Sequence, residues 1–317
     1  MYAQSLLTFF SFYIISIIMT ISCSNWFLVW IGLEINMMSF IALMYSRNSV
    51  SVETCMKYFF IQSLGSGILM TMFYSEVKMF DFLLLSVLSY KMGGGPFYYW
   101  FPSICESLSW LGCFFLMTIQ KVLPMMMISL AVSSLMWLIV IISMFVGAVG
   151  SMNQKSVKRL MAYSSIHHIG WMMMGNFLAE SMWTVYLLMY SMLLLGIIWV
   201  LSKDKILEMG MLMSMSTKWT FALGMLSLGG MPPMLGFYLK WWMFYNLLMV
   251  DISVLVLMVM MSVLMFYVYL RISYSILMSS ASMYSWMSRA KNKYKISMDF
   301  LYMMGLNLSP AMWLIMM

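Results

Sequence analysis

Charged residues are scarce in this chain. Asp, Glu, Lys and Arg make up 9% of its 317 residues, hydrophobic residues make up 64%, and the mean hydropathy is +0.93. A soluble domain carries about 25% charged residues, so this composition cannot build a polar surface around a soluble core. Lipid must therefore be the solvent for most of the chain.

Cysteine and the sequence motifs of cofactor sites are also sparse. The four cysteines form no C-x-x-C pair and no Cys/His metal spacing, which argues against a disulfide framework and an iron–sulfur site. The chain lacks a dinucleotide-binding fingerprint, a Walker A motif and a nucleophile elbow. His167 and His168 are its two histidines, and adjacent histidines make no haem site. We expect neither a cofactor nor a metal in this chain.

Apolar runs near 20 residues recur along the sequence, the length that crosses a hydrocarbon core of roughly 30 Å. The candidate spans are 3–22, 25–44, 55–74, 80–99, 107–127, 130–149, 157–177, 181–201, 218–247, 252–272 and 299–317. No Lys or Arg precedes Arg47, whereas cleavable targeting segments need early positive charge, so the first run is expected to be a retained helix. We predict an all-α, polytopic membrane helix bundle of about 11 transmembrane helices, forming a single membrane domain over residues 1–317.

Two of the predicted spans contain helix-breaking sequences. The fourth contains three glycines and a proline at 93–96, and the ninth contains Gly-Gly-Met-Pro-Pro at 229–233. Such breaks free backbone groups that lipid cannot satisfy, so they are tolerated where they face protein or a watery cavity. In transporters they often mark the ion path. A lysine lies close to each break, which favours this functional interpretation over a simple kink.

The loop charges are strongly biased toward one side of the membrane. Of the 17 Lys and Arg residues, 13 lie in even-numbered loops and their helix-entry turns: Arg47, Lys57, Lys155, Lys158, Arg159, Lys203, Lys205, Lys218, Arg271, Arg289, Lys291, Lys293 and Lys295. The odd-numbered loops hold Lys78 alone. This bias places the N-terminus on the cytoplasmic or matrix side and the C-terminus opposite.

The net charge of +7 is therefore loop charge on one membrane face and does not indicate nucleic-acid binding. The basic segment 289–295 could contact anionic phospholipid, cardiolipin included, or partner subunits. A simple solvated loop is the alternative.

Four charged residues lie inside predicted spans and away from the ends of those spans: Glu34, Lys91, Lys121 and Lys240. A charge at a helix centre costs about 2.5–3.5 kcal/mol on insertion scales, and such groups usually pair, face a cavity and carry ions or protons. Burial disfavours a charged lysine while a nearby carboxylate favours it. We predict a proton relay in which Glu34 modulates Lys91.

The relay is predicted to continue from Lys121 to Lys240, with His168 and bridging water between them. Each member has an alternative, because Lys91 and Lys240 could snorkel toward an interface and His168 could be a hydrogen-bonded packing residue. Lys158 and Arg159 could serve only to fix topology. If one of that pair carries a proton, it should be Lys158, because arginine stays protonated.

These residues lie in stretches that resemble a known family, subunit 2 of mitochondrial NADH:ubiquinone oxidoreductase (respiratory complex I), an antiporter-like membrane subunit. The matching stretches are 30–36 (WIGLEIN), 91–100 (KMGGGPFYYW), 120–121 (QK), 153–154 (NQ), 158–171 (KRLMAYSSIHHIGW) and 228–241 (LGGMPPMLGFYLKW). Their order is that of the family, and the match covers most of residues 25–272. Tyr98 stands where the family has histidine.

The resemblance implies an antiporter-like core over about 25–272, with two broken helices in repeated halves and a C-terminal helix at about 299–317. It implies that Glu34, Lys91, Lys121 and Lys240 form a buried charge axis that moves protons. NADH, FMN, iron–sulfur clusters and ubiquinone are expected in other subunits, and other membrane-arm subunits are the expected partners.

The implied location is the mitochondrial inner membrane, with the N-terminus on the matrix side and the C-terminus on the intermembrane-space side. Two alternatives remain open at this point. One is a cation/proton antiporter subunit of the same ancestry, and the other is a structural membrane subunit that does not pump.

Overall fold

The computed structural model describes residues 2–74, 80–131, 133–179, 181–215, 217–232, 234–248 and 252–281. The α-helices in these ranges are α1 Tyr2–Ser22, α2 Trp26–Met44, α3 Ser49–Tyr74, α4 Phe80–Met92, α5 Trp100–Ser107, α6 Trp110–Met117, α7 Val122–Ile128, α8 Leu135–Ser151, α9 Val157–Leu178, α10 Met182–Lys203, α11 Lys218–Gly229, α12 Leu235–Leu247 and α13 Ile252–Ala281. Short 3-10 helices lie at Gly95–Phe97, Ile119–Lys121 and Met209–Ser214. No strand occurs in these ranges, and the all-α prediction is confirmed.

The described helices follow the first ten predicted spans, and the last, at 299–317, lies outside the described residues. Among the described residues, four stretches are long and apolar enough to cross a membrane by length and composition: Trp26–Met44, Trp110–Ile128, Met182–Lys203 and Ile252–Met278. The helix α13 continues past residue 272, where the sequence placed its end.

The first predicted break is confirmed at the end of α4. Gly93 has φ +70°, and the N–H of Gly94 donates to the carbonyl oxygen of Ser89 at 2.9 Å. A left-handed glycine after the last helical residue is a common helix terminator. Any Cβ at Gly93 would lie 2.9 Å from the Cβ of Phe101, so the returning chain packs directly against the break.

The second predicted break separates α11 from α12. Gly230 has φ +86°, and the N–H groups of Gly230 and Met231 both donate to the carbonyl oxygen of Leu226 at 3.1 Å. This pattern satisfies the Leu226 carbonyl near the end of α11 with backbone donors. Pro233, which belongs to the same sequence motif, lies outside the described residues.

The structure adds a third interruption, within the predicted span 107–127. The helix α6 ends at Met117, and the hydroxyl of the next residue, Thr118, donates to the carbonyl oxygen of Phe114 at 2.7 Å. The N–H of Lys121 then bonds to the carbonyl oxygen of Thr118 at 3.1 Å, which is 3-10 geometry. Pro124 explains the loosening, because it has no N–H to donate to the carbonyl of Gln120 and its ring clashes with that carbonyl in a regular helix.

The chain divides into two compact units. The first contains the described parts of Met1–Val146 and Met161–Trp183. In it, α1, α2, α3 and α4 pack in sequence, and α4 also packs against α7. The Nδ2 of Asn36 donates to the Oγ of Ser16 at 3.2 Å, and the Nε2 of Gln62 donates to the carbonyl oxygen of Lys91 at 3.0 Å. Such interhelical bonds stabilise membrane bundles by about 0.6 kcal/mol each.

The second unit contains Gly147–Leu160 and the described part of Thr184–Met317. In it, α11 packs against α13 and α12. The N–H of Val157 donates to the carbonyl oxygen of Leu207 at 3.1 Å. The N–H of Met209 donates to the carbonyl oxygen of Lys155 at 3.0 Å. These bonds fasten the segment after α10 to the start of α9. The prediction of a single membrane domain stays a prediction.

Candidate functional site

Two of the four predicted intramembrane charges line one internal cavity. Lys91 and Lys121 both contact a cavity of about 30 Å³ in the first unit. Its other polar lining residues are Asn36, Tyr58, Gln62 and Gln120. A water molecule needs about 10–15 Å³ of such volume and 2–4 polar partners, so the cavity has room for about two water molecules between the lysines.

Lys121 lies at the interruption between α6 and α7 and is only 1% exposed. Its Nζ donates to the carbonyl oxygen of Ser165 at 3.0 Å and lies 5.6 Å from the centre of the Phe101 ring. Both contacts favour a cation in a place that lipid alone would make costly. The helix α9, which carries Ser165, thus approaches the cavity from one side.

Lys91 and Glu34 are electrostatic partners in the same unit. Lys91 is buried in the last turn of α4, and the Glu34 carboxylate on α2 lies close enough to interact with it electrostatically. Glu34 accepts a hydrogen bond from the hydroxyl of Ser66 on α3. No ion pair of 4.0 Å or less joins the Glu34 and Lys91 side chains, both of which are described, so α3 stands between the partners.

The two histidines differ in their surroundings. The Nε2 of His167 accepts the indole N–H of Trp171 at 3.3 Å, and its Nδ1 lies 3.4 Å from the carbonyl oxygen of Met144. A neutral ring with its proton on Nδ1 satisfies both contacts, so His167 is a packing residue. His168 is also buried, with its ring centre 5.9 Å from that of His167. It lies one turn beyond Ser165, the residue that Lys121 contacts.

The other two predicted site residues belong to the second unit. Lys240 is buried in α12, and its Nζ donates to the carbonyl oxygen of Gly229 at 2.7 Å. Lys158 is buried at the start of α9, whereas its neighbour Arg159 is exposed.

The sequence did not single out the uncharged polar groups around the cavity. Gln62 and Ser66 carry no sequence signal, because serine in a membrane helix usually satisfies itself on the preceding turn. Asn36 and Gln120 had a weak signal, since each stands within two residues of an intramembrane charge. The hydroxyl of Tyr13 and the Nε2 of Gln120 are buried without a hydrogen bond of standard geometry among the described residues, and the Tyr13 hydroxyl interacts with the Gln120 side chain.

Metal-binding groupings are absent from the described part of the chain. No group of three or more His, Cys, Asp or Glu side chains lies close enough to hold a metal ion there. The four cysteines are unpaired by disulfides: Cys23, Cys55, Cys105 and Cys113. The thiol of Cys113 donates to the carbonyl oxygen of Cys105 at 3.0 Å, which gives it a structural partner.

Comparison with known proteins matches this architecture to one family. The family model described as "NADH:quinone oxidoreductase/Mrp antiporter, TM" matches residues 23–75 and 70–266. The chain belongs to this antiporter-like membrane family. The NADH-ubiquinone oxidoreductase chain 2 of Anopheles gambiae is 36% identical over 94% of this chain and 95% of its own length. The chain 2 of Aedes aegypti is 38% identical over 97% of both chains.

Solved structures share the antiporter-like fold. A chain of respiratory complex I from Thermus thermophilus superposes with a TM-score of 0.74, at 24% identity, over 84% of this chain and 69% of its own. A chain of the Mrp complex from Dietzia gives a TM-score of 0.70 at 16% identity, over 78% of this chain and 56% of its own. At these identities the likeness establishes the antiporter-like fold. The resemblance expected from the sequence is confirmed at the level of the family.

Proposed function

We propose that this chain is a core membrane subunit of mitochondrial NADH:ubiquinone oxidoreductase and forms a proton-translocation channel within it. The observation that carries the proposal is the cavity shared by Lys91 and Lys121. Two buried lysines with uncharged polar groups and room for water between them can pass a proton without exposing it to lipid. The 36–38% identical relatives, named as chain 2 of this enzyme, supply the assembly in which the channel would work.

Each member of the first unit has a distinct role in the proposed channel. Glu34 is the modulator, because its carboxylate is the electrostatic partner of Lys91. The cavity water, held by Gln62 and Gln120 among others, carries the proton between Lys91 and Lys121. His168 is the next candidate acceptor, since it lies one turn from the carbonyl that holds Lys121.

The second unit would continue the path. Lys240 is buried beside the break between α11 and α12, where backbone groups are available. Between Lys158 and Arg159, burial favours Lys158, and a lysine can release its proton whereas an arginine cannot.

The chemistry of electron transfer belongs elsewhere in the proposed assembly. We assign NADH, FMN, the iron–sulfur clusters and ubiquinone to other subunits, so this chain holds no redox site. Its partners are other membrane-arm subunits, phospholipids such as cardiolipin, and protons. The loop-charge bias supports an inner-membrane orientation with the N-terminus in the matrix and the C-terminus in the intermembrane space.

A native gel of the source membranes tests the assembly. The gel is stained for NADH dehydrogenase activity, and the active band is analysed by mass spectrometry. Finding this chain in a very large NADH-oxidising band supports the proposal. Finding it only in a smaller complex without that activity would overturn it in favour of a cation/proton antiporter, the function suggested by the fold shared with the Mrp complex.

A further inference from the structure

The α3 residues Gly65 and Ser66 lie between the two partners Glu34 and Lys91. Ser66 is buried, and its hydroxyl donates to the Oε1 of Glu34 on α2. On the other side, a Cβ at Gly65 would lie 3.0 Å from both the Cγ and the Cε of Lys91 on α4. Two adjacent residues of α3 therefore lie against Glu34 on one side and Lys91 on the other.

The hydrogen bond from Ser66 differs from those of other serines in neighbouring helices. Ser63, Ser86 and Ser89 donate to the carbonyl of the residue three positions earlier. Ser66 reaches the carbonyl of Ser63 at 3.0 Å in the same way, but it also contacts Glu34 on another helix. A hydroxyl has one proton, so the two acceptors compete for it, and the charged Glu34 carboxylate is the stronger acceptor.

A second bond fixes this part of α3 against α2. The indole N–H of Trp30 donates to the carbonyl oxygen of Ser66 at 3.1 Å. Trp30 and Glu34 are four residues apart and so lie on the same face of α2. The backbone carbonyl and the hydroxyl of Ser66 thus both form hydrogen bonds with side chains on that face of α2.

We propose that Gly65 and Ser66 form a positioning element for the Glu34–Lys91 pair. The Ser66 hydroxyl orients and stabilises the Glu34 carboxylate, and the bare backbone at Gly65 lets the Lys91 side chain lie along α3 toward the cavity. The proposal rests on the proton-channel function and deepens it by naming residues that set the geometry of its first charge pair. Neither residue exchanges a proton itself.

The chain supplies a matched control for each residue. Ser63 lies one turn before Ser66 and is less buried. Among the described contacts, its hydroxyl donates only to the Phe60 carbonyl. Gly67 has no atom within 4 Å of the position where a Cβ would stand. The variant pairs are therefore Ser66→Ala with Ser63→Ala, and Gly65→Ala with Gly67→Ala.

The test uses the assembled complex, reconstituted in liposomes that report proton uptake during NADH oxidation. A hydrogen bond to a charged group changes an equilibrium by roughly tenfold, so we expect Ser66→Ala to slow proton uptake by roughly that factor. Ser66→Thr, which keeps the hydroxyl, should restore most of the rate. Gly65→Ala should slow uptake, and both control variants should match the unaltered complex.

Infrared difference spectra give a readout that a structural role would not change. The carboxyl band that disappears in Glu34→Gln identifies Glu34. This band should shift in Ser66→Ala and stay in place in Ser63→Ala. An unshifted band in Ser66→Ala would overturn the inference even if that variant assembles poorly.

The remaining outcomes separate this inference from the proposed function. If Glu34→Gln and Lys91→Met slow proton uptake while Ser66→Ala and Gly65→Ala match their controls, the positioning element is refuted and the channel stands. If Glu34→Gln and Lys91→Met leave uptake unchanged in a fully assembled complex, the channel function itself is refuted, and the positioning element with it.

Discussion

The Lys240 ammonium donates a 2.7 Å hydrogen bond to the carbonyl oxygen of Gly229, the last residue of α11. The last four carbonyls of a helix have no partner within it, and the helix dipole places partial negative charge there. A buried cation at this position therefore stabilises the break. The Nζ of Lys240 thus stabilises the break between the helices and also belongs to the proposed channel.

Replacing Lys240 by methionine should destabilise the protein. The Gly229 carbonyl would be buried without its donor, which costs about 1–3 kcal/mol. We expect Lys240→Met to lower the temperature at which the solubilised protein unfolds. Lys205→Met, at an exposed loop lysine, is the control. Equal unfolding temperatures for the two variants would show that the bond contributes nothing.

A methyl group added at Gly236 should destabilise the protein more than one added at Gly210, where the space is open. A Cβ at Gly236 would overlap the carbonyl oxygen of Ser227, a backbone atom that cannot move aside cheaply. At Gly210 the same addition meets nothing within 4 Å. We expect Gly236→Ala to cost about 1–3 kcal/mol by overpacking and to reduce the amount of assembled chain on a native gel. Gly210→Ala should assemble normally, and equal yields would contradict the packing described for α11 and α12.

Lys121→Arg separates a proton carrier from a structural cation. Arginine keeps the positive charge but does not release its proton in proteins. We expect the complex to assemble and its proton uptake to fall, and we expect Lys121→Met to lose uptake as well. A structural role predicts instead that Lys121→Met loses assembly without a specific pumping defect. Proton uptake at the unaltered rate in assembled Lys121→Arg would rule out the relay role.

Glu34→Gln should reduce proton uptake where Glu53→Gln does not. General acid–base groups contribute about 10²–10⁴-fold to proton transfer, and even partial dependence on Glu34 should appear as a loss of about tenfold.

Glu53 is exposed near the start of α3, where a 2.6 Å ion pair with Lys57 holds its pKa below the usual value. Stability from that pair is present above the ordinary pKa of Glu and is lost as the pH falls through the lowered one. The measurement is liposome proton uptake at neutral pH, and equal rates in the two variants would contradict the role of Glu34.

The helix breaks show how far the sequence could predict this fold. The glycines at 93–95 and 229–230 are followed by prolines, and such clusters predict two breaks because both residue types disfavour a continuous helix. The interruption before Lys121 was missed, since Pro124 stands in an otherwise uniform apolar run. A single proline can kink or end a helix, and only the packing around Lys121 decides which occurs.

The site was predictable in its charges but not in its polar lining. Glu34, Lys91, Lys121 and Lys240 stand out because each charge in lipid is costly. Ser66 does not stand out, since its role depends on α2 and α4 lying on either side of α3. That arrangement arises from tertiary packing, which a single sequence does not contain.

Lys121 and Lys240 both donate to backbone carbonyl oxygens. A carbonyl oxygen accepts a hydrogen bond from an amine whether that amine is charged or neutral, and it has no proton of its own to exchange. In the proposed channel, both side chains can therefore keep their conformations as their charge changes. Energy released in another subunit would then reach these lysines as an electric field or as a change in hydration.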